Sequence, residues 1–183
     1  ITCGTGSAIA AISGPLTTSL NGTCSKTKLA GDIAFSVPSG TFTNELEVYL
    51  RSCVKGHEIR YTTDGTLPGI GSQKYSGDPI RITETTRLRA QAFAQDKVVG
   101  NPGTAMYIAN TVETMHDLPV VVMDVFGAGK PQREYLDAAV MTFEPPDGAA
   151  TLSDPPSIVS RAGIKVRGRS RASSAKAGYR LDL

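Results

Sequence analysis

The sequence predicts a mainly β protein, the larger part of which is a β-sandwich. Three observations over residues 32–110 support this prediction. Apolar and polar residues alternate along the chain, which is the pattern of half-buried strands. The alternating stretches are short, and Gly, Pro, Asp and Asn recur between them where turns are needed. No long stretch in this half has the period of a helix.

Each element of the sandwich is predicted from its own pattern. Arg87–Phe93 alternates almost strictly, and Asp64-Gly65 ahead of it forms a turn because Gly accepts a positive φ. The other predicted strands are Phe35–Val37, Leu46–Leu50, Glu58–Thr62, Ile80–Ile82 and Ala105–Ile108. Further turns are predicted at 38–40, 68–69, 76–79 and 100–103.

After Asn110 the pattern changes. Leu118–Met123 is a continuous apolar run and predicts a strand that is buried on both faces. Further strands are predicted at Arg133–Phe143, Ala162–Gly168 and Tyr179–Leu183, with a loop over 144–156. Since the last strand pattern has no loop after it, we expect the second domain to be incomplete. The predicted division is an extended Gly/Ser/Thr-rich segment at 1–31, a sandwich at 32–110, a linker at 111–117 and the incomplete domain at 118–183.

The three cysteines are Cys3, Cys24 and Cys53. In an extracellular protein two of them would form a disulfide. A Cys3–Cys24 bond is the first choice, because it would hold the small-residue N-terminal segment in place. A Cys24–Cys53 bond and three buried thiols remain alternatives.

The charge is unevenly distributed although the net charge is only +2. Residues from Arg161 onward contain seven Lys and Arg but one acid, Asp182. Such a segment could bind phosphate, nucleic acid or an acidic partner. No aromatic residues are interleaved with the basic ones and no recognition helix is predicted, so we expect no nucleic-acid partner. No apolar run is long enough for a membrane span, and the scarcity of His and the lack of a Cys-x-x-Cys motif predict no metal site.

Two motifs in the first half resemble a known family. The run Glu58–Pro68 (EIRYTTDGTLP) and the strand Ile82–Ala92 (ITETTRLRAQA) are similar to the immunoglobulin-like domain found beside chitobiase and β-hexosaminidase catalytic domains. The resemblance covers residues from about 33 to 108. It implies an immunoglobulin-like sandwich that acts as a spacer or binding module, carries no catalytic residues and is secreted or exposed at a bacterial cell surface.

The second half resembles a different family. Residues 118–183, above all Gly163–Arg171 (GIKVRGRSR) followed by Tyr179-Arg180-Leu181, are similar to the opening of the spore coat protein H (CotH) kinase-like family. The resemblance implies an α+β domain in which Lys176, Arg167 and Arg180 contact the phosphates of a nucleotide. Ala175-Lys176-Ala177-Gly178 departs from the Pro-Lys-Lys-Ser of the family. The catalytic aspartates of the family lie further along, so no catalytic residue is assigned here.

These observations predict a non-catalytic, extracellular structural or binding module of a secreted bacterial surface protein, without a cofactor of its own. The alternative is part of an ATP-dependent atypical kinase whose catalytic residues lie beyond residue 183, with ATP and Mg²⁺ bound by the full-length parent. Expected partners are other copies or other surface proteins, joined through sheet edges, and also a glycan. The segment 1–30 is expected to add to such an edge as a strand.

Overall fold

The computed structural model describes residues 29, 31–54, 57–110, 115–145, 148–168 and 178–183. These residues form fifteen strands in five sheets and include no helix, so the prediction of a mainly β fold is confirmed. It follows that no membrane-spanning helix occurs in the described part of the chain. Cys3, Cys24 and Lys176 lie outside the described residues, and the predictions made for them stay predictions.

Nine strands belong to the first half of the chain. Five of them form one sheet in the order β2-β9-β8-β5-β6, while β1 pairs with β4 and β3 pairs with β7. All described ladders are antiparallel except β2–β9, which is parallel. The strands are β1 (Ile33–Phe35), β2 (Gly40–Phe42), β3 (Leu46–Val48), β4 (Leu50–Ser52), β5 (Glu58–Thr62), β6 (Gln73–Lys74), β7 (Ile80–Ile82), β8 (Thr86–Ala94) and β9 (Lys97–Ala109).

The core of this half lies between the five-stranded sheet and the two shorter ribbons. Alternate residues in the middle of β8 and in the last part of β9 point into it, including Leu88, Ala90 and Tyr107. The ribbons contribute Ile33 from β1, Val48 from β3, and also Leu50, Ile80 and Ile82. The buried Tyr107 hydroxyl donates a hydrogen bond to the Val37 carbonyl at 2.8 Å, so its polar atom is satisfied.

The predicted turn at 100–103 is instead part of β9. Gly103 pairs with Ala90 and Val99 pairs with Ala92, so three residues of β9 face the single residue Gln91 of β8. The Gln91 side-chain amide donates to the carbonyls of Val99 at 2.8 Å and Gly100 at 3.2 Å. A bulge therefore accommodates the Gly and Pro residues that suggested a turn.

The second half contributes the remaining six strands. Four of them form an antiparallel sheet in the order β11-β12-β14-β15, and β10 pairs with β13. They are β10 (Met115–His116), β11 (Val120–Asp124), β12 (Leu136–Phe143), β13 (Ala150–Thr151), β14 (Ile158–Val166) and β15 (Tyr179–Asp182). The predicted linker thus includes β10, and β13 lies within the predicted loop.

The prediction that Leu118–Met123 is buried on both faces is wrong. The strand in this run, β11, is the first strand of its sheet, and among the described residues it pairs only with β12. Val121 and Met123 remain 46% and 42% exposed, while Val120 and Val122 pack against a core cluster. A continuous apolar run indicates burial but does not distinguish a central strand from one at a sheet edge.

The two halves pack against each other through a second apolar cluster. Met106 of β9 points away from the sandwich core and meets Met141 and Phe143 of β12, together with Leu29 and Ala139. The Thr41 hydroxyl of β2 also donates a hydrogen bond to the Leu152 carbonyl beside β13. The four-stranded sheet therefore covers the outer face of the five-stranded sheet, and the protein has three layers.

Candidate functional site

A polar cluster borders the apolar contact between the two halves, and we call it the seam. Its centre is Arg89 of β8, which is only 4% exposed. The Arg89 guanidinium lies 4.4 Å from the centroid of the Phe126 ring, donates to the Gly65 carbonyl at 3.2 Å and lies 3.6 Å from Asp137 of β12. Since Phe126 and Asp137 belong to the second half, one arginine connects both halves.

The second half of the chain also contributes an arginine to the seam. Arg161 of β14 lies 3.8 Å from Asp137 and donates to the Thr104 hydroxyl of β9 at 3.4 Å. Burial lowers the pKa of Arg89, the nearby Arg161 lowers it further, and Asp137 opposes both effects. Arg89, Arg161, Asp137 and Thr104 thus contact one another across the two halves, as expected of a structural contact, while the Nε atoms of Arg89 and Arg161 are buried without a hydrogen-bond partner among the described residues.

The turn of the immunoglobulin-like motif lies at this seam. Asp64 accepts hydrogen bonds from the backbone N–H of Thr66 at 2.9 Å and from its hydroxyl at 2.6 Å, and these bonds lower the pKa of Asp64. Gly65 has a φ of 88° and lies against Arg87 and Phe126. The predicted turn at Asp64-Gly65 therefore exists, and the second half packs on it.

A basic cavity of about 260 Å³ lies further along the four-stranded sheet. Lys165 of β14 and Arg180 of β15 are direct partners in the β14–β15 register. Arg167 follows two residues after Lys165 and keeps the pairing through its backbone N–H, which donates to the Gly178 carbonyl at 2.8 Å. The remaining lining residues are Arg133, Val166 and Gly168, so none of the described residues that line the cavity is an acid.

The alternation of β14 explains why these cations converge. Ala162, Ile164 and Val166 are buried on one face of the sheet, so Lys165 must project from the opposite face. Like charges that are directly opposite one another destabilise a ladder. An anion between Lys165 and Arg180 would remove this repulsion, and guanidinium groups offer paired donors to phosphate or carboxylate oxygens.

A second cavity of about 360 Å³ adjoins the basic one, and we call it the mixed cavity. Tyr135 forms one wall, and its ring lies so close to Gly163 that a Cβ there would come within 2.9 Å of the Tyr135 Cδ1. The Lys165 Nζ lies 4.1 Å from the centroid of the same ring. The other lining residues are Leu136, Asp137, Arg161, Ala162 and Asp182.

The structure brings together part of the phosphate site predicted from the sequence. Arg167 and Arg180 line the same cavity. Sequence reasoning missed Arg133, Lys165 and Tyr135. The alternation of β14 could have placed Lys165 with Arg167, but the positions of Arg133 and Tyr135 depend on tertiary packing. Among the described residues, no group of His, Cys, Asp and Glu side chains is arranged to hold a metal ion.

Comparison with known families supports the resemblance that the sequence shows in the first half of the chain. Residues 37–104 match the family model of the chitobiase/beta-hexosaminidase C-terminal domain. The matched range covers β2 to β8 and the first part of β9, and it ends before the four-stranded sheet. No curated protein and no solved structure matches the chain. The immunoglobulin-like resemblance is thus supported for the first half, while the kinase-like resemblance of the second half stays a prediction.

Proposed function

We propose that this chain is a non-catalytic binding module of a secreted bacterial surface protein, and that its basic cavity binds an anionic ligand. The convergence of Lys165, Arg167 and Arg180 on one cavity, with no acid among its described lining residues, carries the proposal. The family match of residues 37–104 supports the role of the sandwich as a module that holds this surface.

The seam explains how the sandwich would serve this role. Arg89 and the Met106 cluster hold the four-stranded sheet against the five-stranded sheet. A ligand-binding surface on a packed sheet loses little conformational entropy when the ligand binds. The sandwich thereby contributes to affinity without touching the ligand.

Binding of inorganic pyrophosphate, measured by calorimetry at low ionic strength, tests the proposal. We expect the double variant Arg167→Ala/Arg180→Ala to weaken binding by about ten-fold or more, since each charge-assisted contact contributes on the order of 1 kcal/mol. Arg81→Ala/Lys97→Ala is the matched control, because it removes two exposed cations from the sandwich. Equal losses in the two double variants would mean that only net charge attracts the anion, and the proposal would fail.

A second function is favoured by one observation, the position of Arg167 beside Arg180. In an ATP-dependent kinase-like parent these two residues, with Lys176, would contact nucleotide phosphates, and catalysis would need residues beyond residue 183. ATP with Mg²⁺ should then raise the melting temperature of the chain more than pyrophosphate with Mg²⁺ at the same concentration, because ligand binding stabilises the folded state. An equal rise would count against recognition of the nucleoside.

A further inference from the structure

We infer that the basic cavity and the mixed cavity form one groove, and that the groove binds an acidic saccharide. This inference rests on the proposed anion site and assigns its ligand class. The two cavities meet where the Lys165 ammonium lies over the Tyr135 ring, since Lys165 lines one cavity and Tyr135 lines the other.

The sheet register places both cavities on one face. Gly163 pairs with Asp182 on one side and with Asp137 on the other, whereas Lys165 pairs with Arg180. Residues two apart on a strand project from the same face, so the groove continues along β14 from the seam toward Arg167. One ligand can therefore contact both ends.

The two ends of the groove differ in chemistry. The end at Arg167 and Arg180 is cationic and suits a carboxylate or phosphate group. The other end presents the carboxylates of Asp137 and Asp182, which accept hydrogen bonds from hydroxyl groups, and Asp137 also pairs with Arg161 there. A ligand that satisfies both ends carries an acidic group at one end and hydroxyl groups at the other.

Tyr135 provides the surface between the two ends. Tyr135 is 41% exposed although Gly163 and the Lys165 ammonium both lie against its ring, so part of its side chain remains accessible to a ligand. A flat aromatic ring with a polar tip suits a ligand that has both C–H faces and hydroxyl groups. The combination of cationic end, aromatic wall and carboxylates matches a sugar ring that bears an acidic group.

Calorimetry with three probes tests the inference. Trigalacturonate carries three carboxylates on sugar rings, tricarballylate carries three carboxylates without a sugar, and chitotriose is a neutral saccharide. We expect trigalacturonate to bind about ten-fold or more tightly than tricarballylate, and chitotriose to bind more weakly than trigalacturonate. Tyr135→Ala should remove the preference for trigalacturonate over tricarballylate.

Tyr179→Ala is the matched control. Tyr179 is an exposed tyrosine of the same sheet, but it pairs with Val166, whose side chain is on the face opposite Lys165. This variant should bind all three probes as the unchanged protein does. Equal affinity for trigalacturonate and tricarballylate would overturn the inference and leave the proposed anion site standing. Failure of both anions to bind would overturn the proposed function as well.

Discussion

At the scale of single residues, Arg89 has the largest structural role outside the apolar cores. It is buried, stacks on Phe126, bonds the Gly65 carbonyl and faces Asp137. A buried cation is tolerated only where its partners replace water. The contacts of Arg89 come from both halves of the chain, so the stability of the whole molecule depends on one guanidinium.

Arg89→Ala should lower the free energy of unfolding by about 2–4 kcal/mol, because it removes a buried stacked side chain and leaves the Gly65 carbonyl and Asp137 with fewer partners. Denaturant unfolding at pH 7 measures this loss. Arg81→Ala removes an arginine from an exposed pair with Glu45 and should cost about 0.5 kcal/mol or less. Similar costs for the two variants would contradict the role assigned to Arg89.

Tyr107 predicts how stability depends on alkaline pH. Burial raises the pKa of the Tyr107 hydroxyl above its usual value, because the charged form is poorly solvated in the core. The folded protein therefore holds this proton more tightly than the unfolded chain. The resulting stability is fully present below the unfolded pKa of about 10 and is lost as the pH rises toward the folded pKa.

Tyr107→Phe should make the decline in unfolding free energy above pH 10 shallower. It should also cost about 1 kcal/mol at pH 7, because the hydrogen bond to the Val37 carbonyl is lost. If the slope of the unfolding free energy against pH above pH 10 is the same in Tyr107→Phe, groups other than Tyr107 cause the decline.

At the scale of elements, the β8–β9 hairpin shows how a sequence that resembles a turn can continue as a strand. The bulge opposite Gln91 leaves β9 with carbonyl groups that lack ladder partners, and the Gln91 amide bonds two of them. Asp32 bonds the backbone N–H of Asn101 at 2.6 Å and stabilises the same bulge from outside. The strand tolerates these turn-forming residues because side chains replace the missing hydrogen bonds of the ladder.

Gln91→Ala should therefore lower the free energy of unfolding by about 1–2 kcal/mol, because it removes the donor to the partly buried carbonyls of Val99 and Gly100. The midpoint of urea unfolding measures the effect. Gln73→Ala is the control, since Gln73 is exposed on β6 at the edge of the same sheet and should change stability by less than about 0.5 kcal/mol. If Gln91→Ala lowered the free energy of unfolding as little as Gln73→Ala, ordered water rather than the Gln91 side chain would supply the hydrogen bonds to the carbonyls of the bulge.

The predictability of these elements depended on their position in the fold. Glu58–Thr62 and Ile80–Ile82 were predicted residue for residue from the alternation of their residue types, although Ile59 and Arg60, neighbours in the first of these two strands, are both buried. The edge position of β11 could not be predicted, since no local pattern reports which strand lies beside it. Arg167 and Arg180 were predicted through a family resemblance, whereas Lys165 and Tyr135 join them only through sheet register and packing.

At the scale of the whole molecule, the disulfide is open to a direct test. Cys53 stands directly after β4, in the described part of the chain, and we expect its sulfur to be bonded to a second cysteine. Non-reducing peptide mapping should then find a bond that includes Cys53, as in the Cys24–Cys53 alternative, in place of Cys3–Cys24. Closing a loop of this size stabilises a protein by about 3 kcal/mol, so Cys53→Ser should lower the free energy of unfolding by a comparable amount. A mapped Cys3–Cys24 bond would contradict this expectation.

Assembly of copies is the second prediction at this scale. β15 is the last strand of its sheet, and in the described part of the chain it pairs only with β14. Its remaining backbone groups could pair with a further strand, from this chain or from another copy. The Gly/Ser/Thr-rich segment 1–30 is the proposed donor for such an edge, there or on the sandwich. Its deletion should lower the melting temperature or change the sedimentation coefficient per unit mass, and if both stay the same the segment does not add to an edge.

The parallel ladder between β2 and β9 has a mechanical consequence. β2 near the start of the sandwich runs in the same direction as the last residues of β9, with Gly40 paired to Tyr107 and Phe42 to Ala109. Tension applied between the two ends of the sandwich would pull these strands past each other along their length. Their hydrogen bonds would then be loaded together in shear instead of being opened one at a time. We expect this short ladder to be the point at which the sandwich resists stretching.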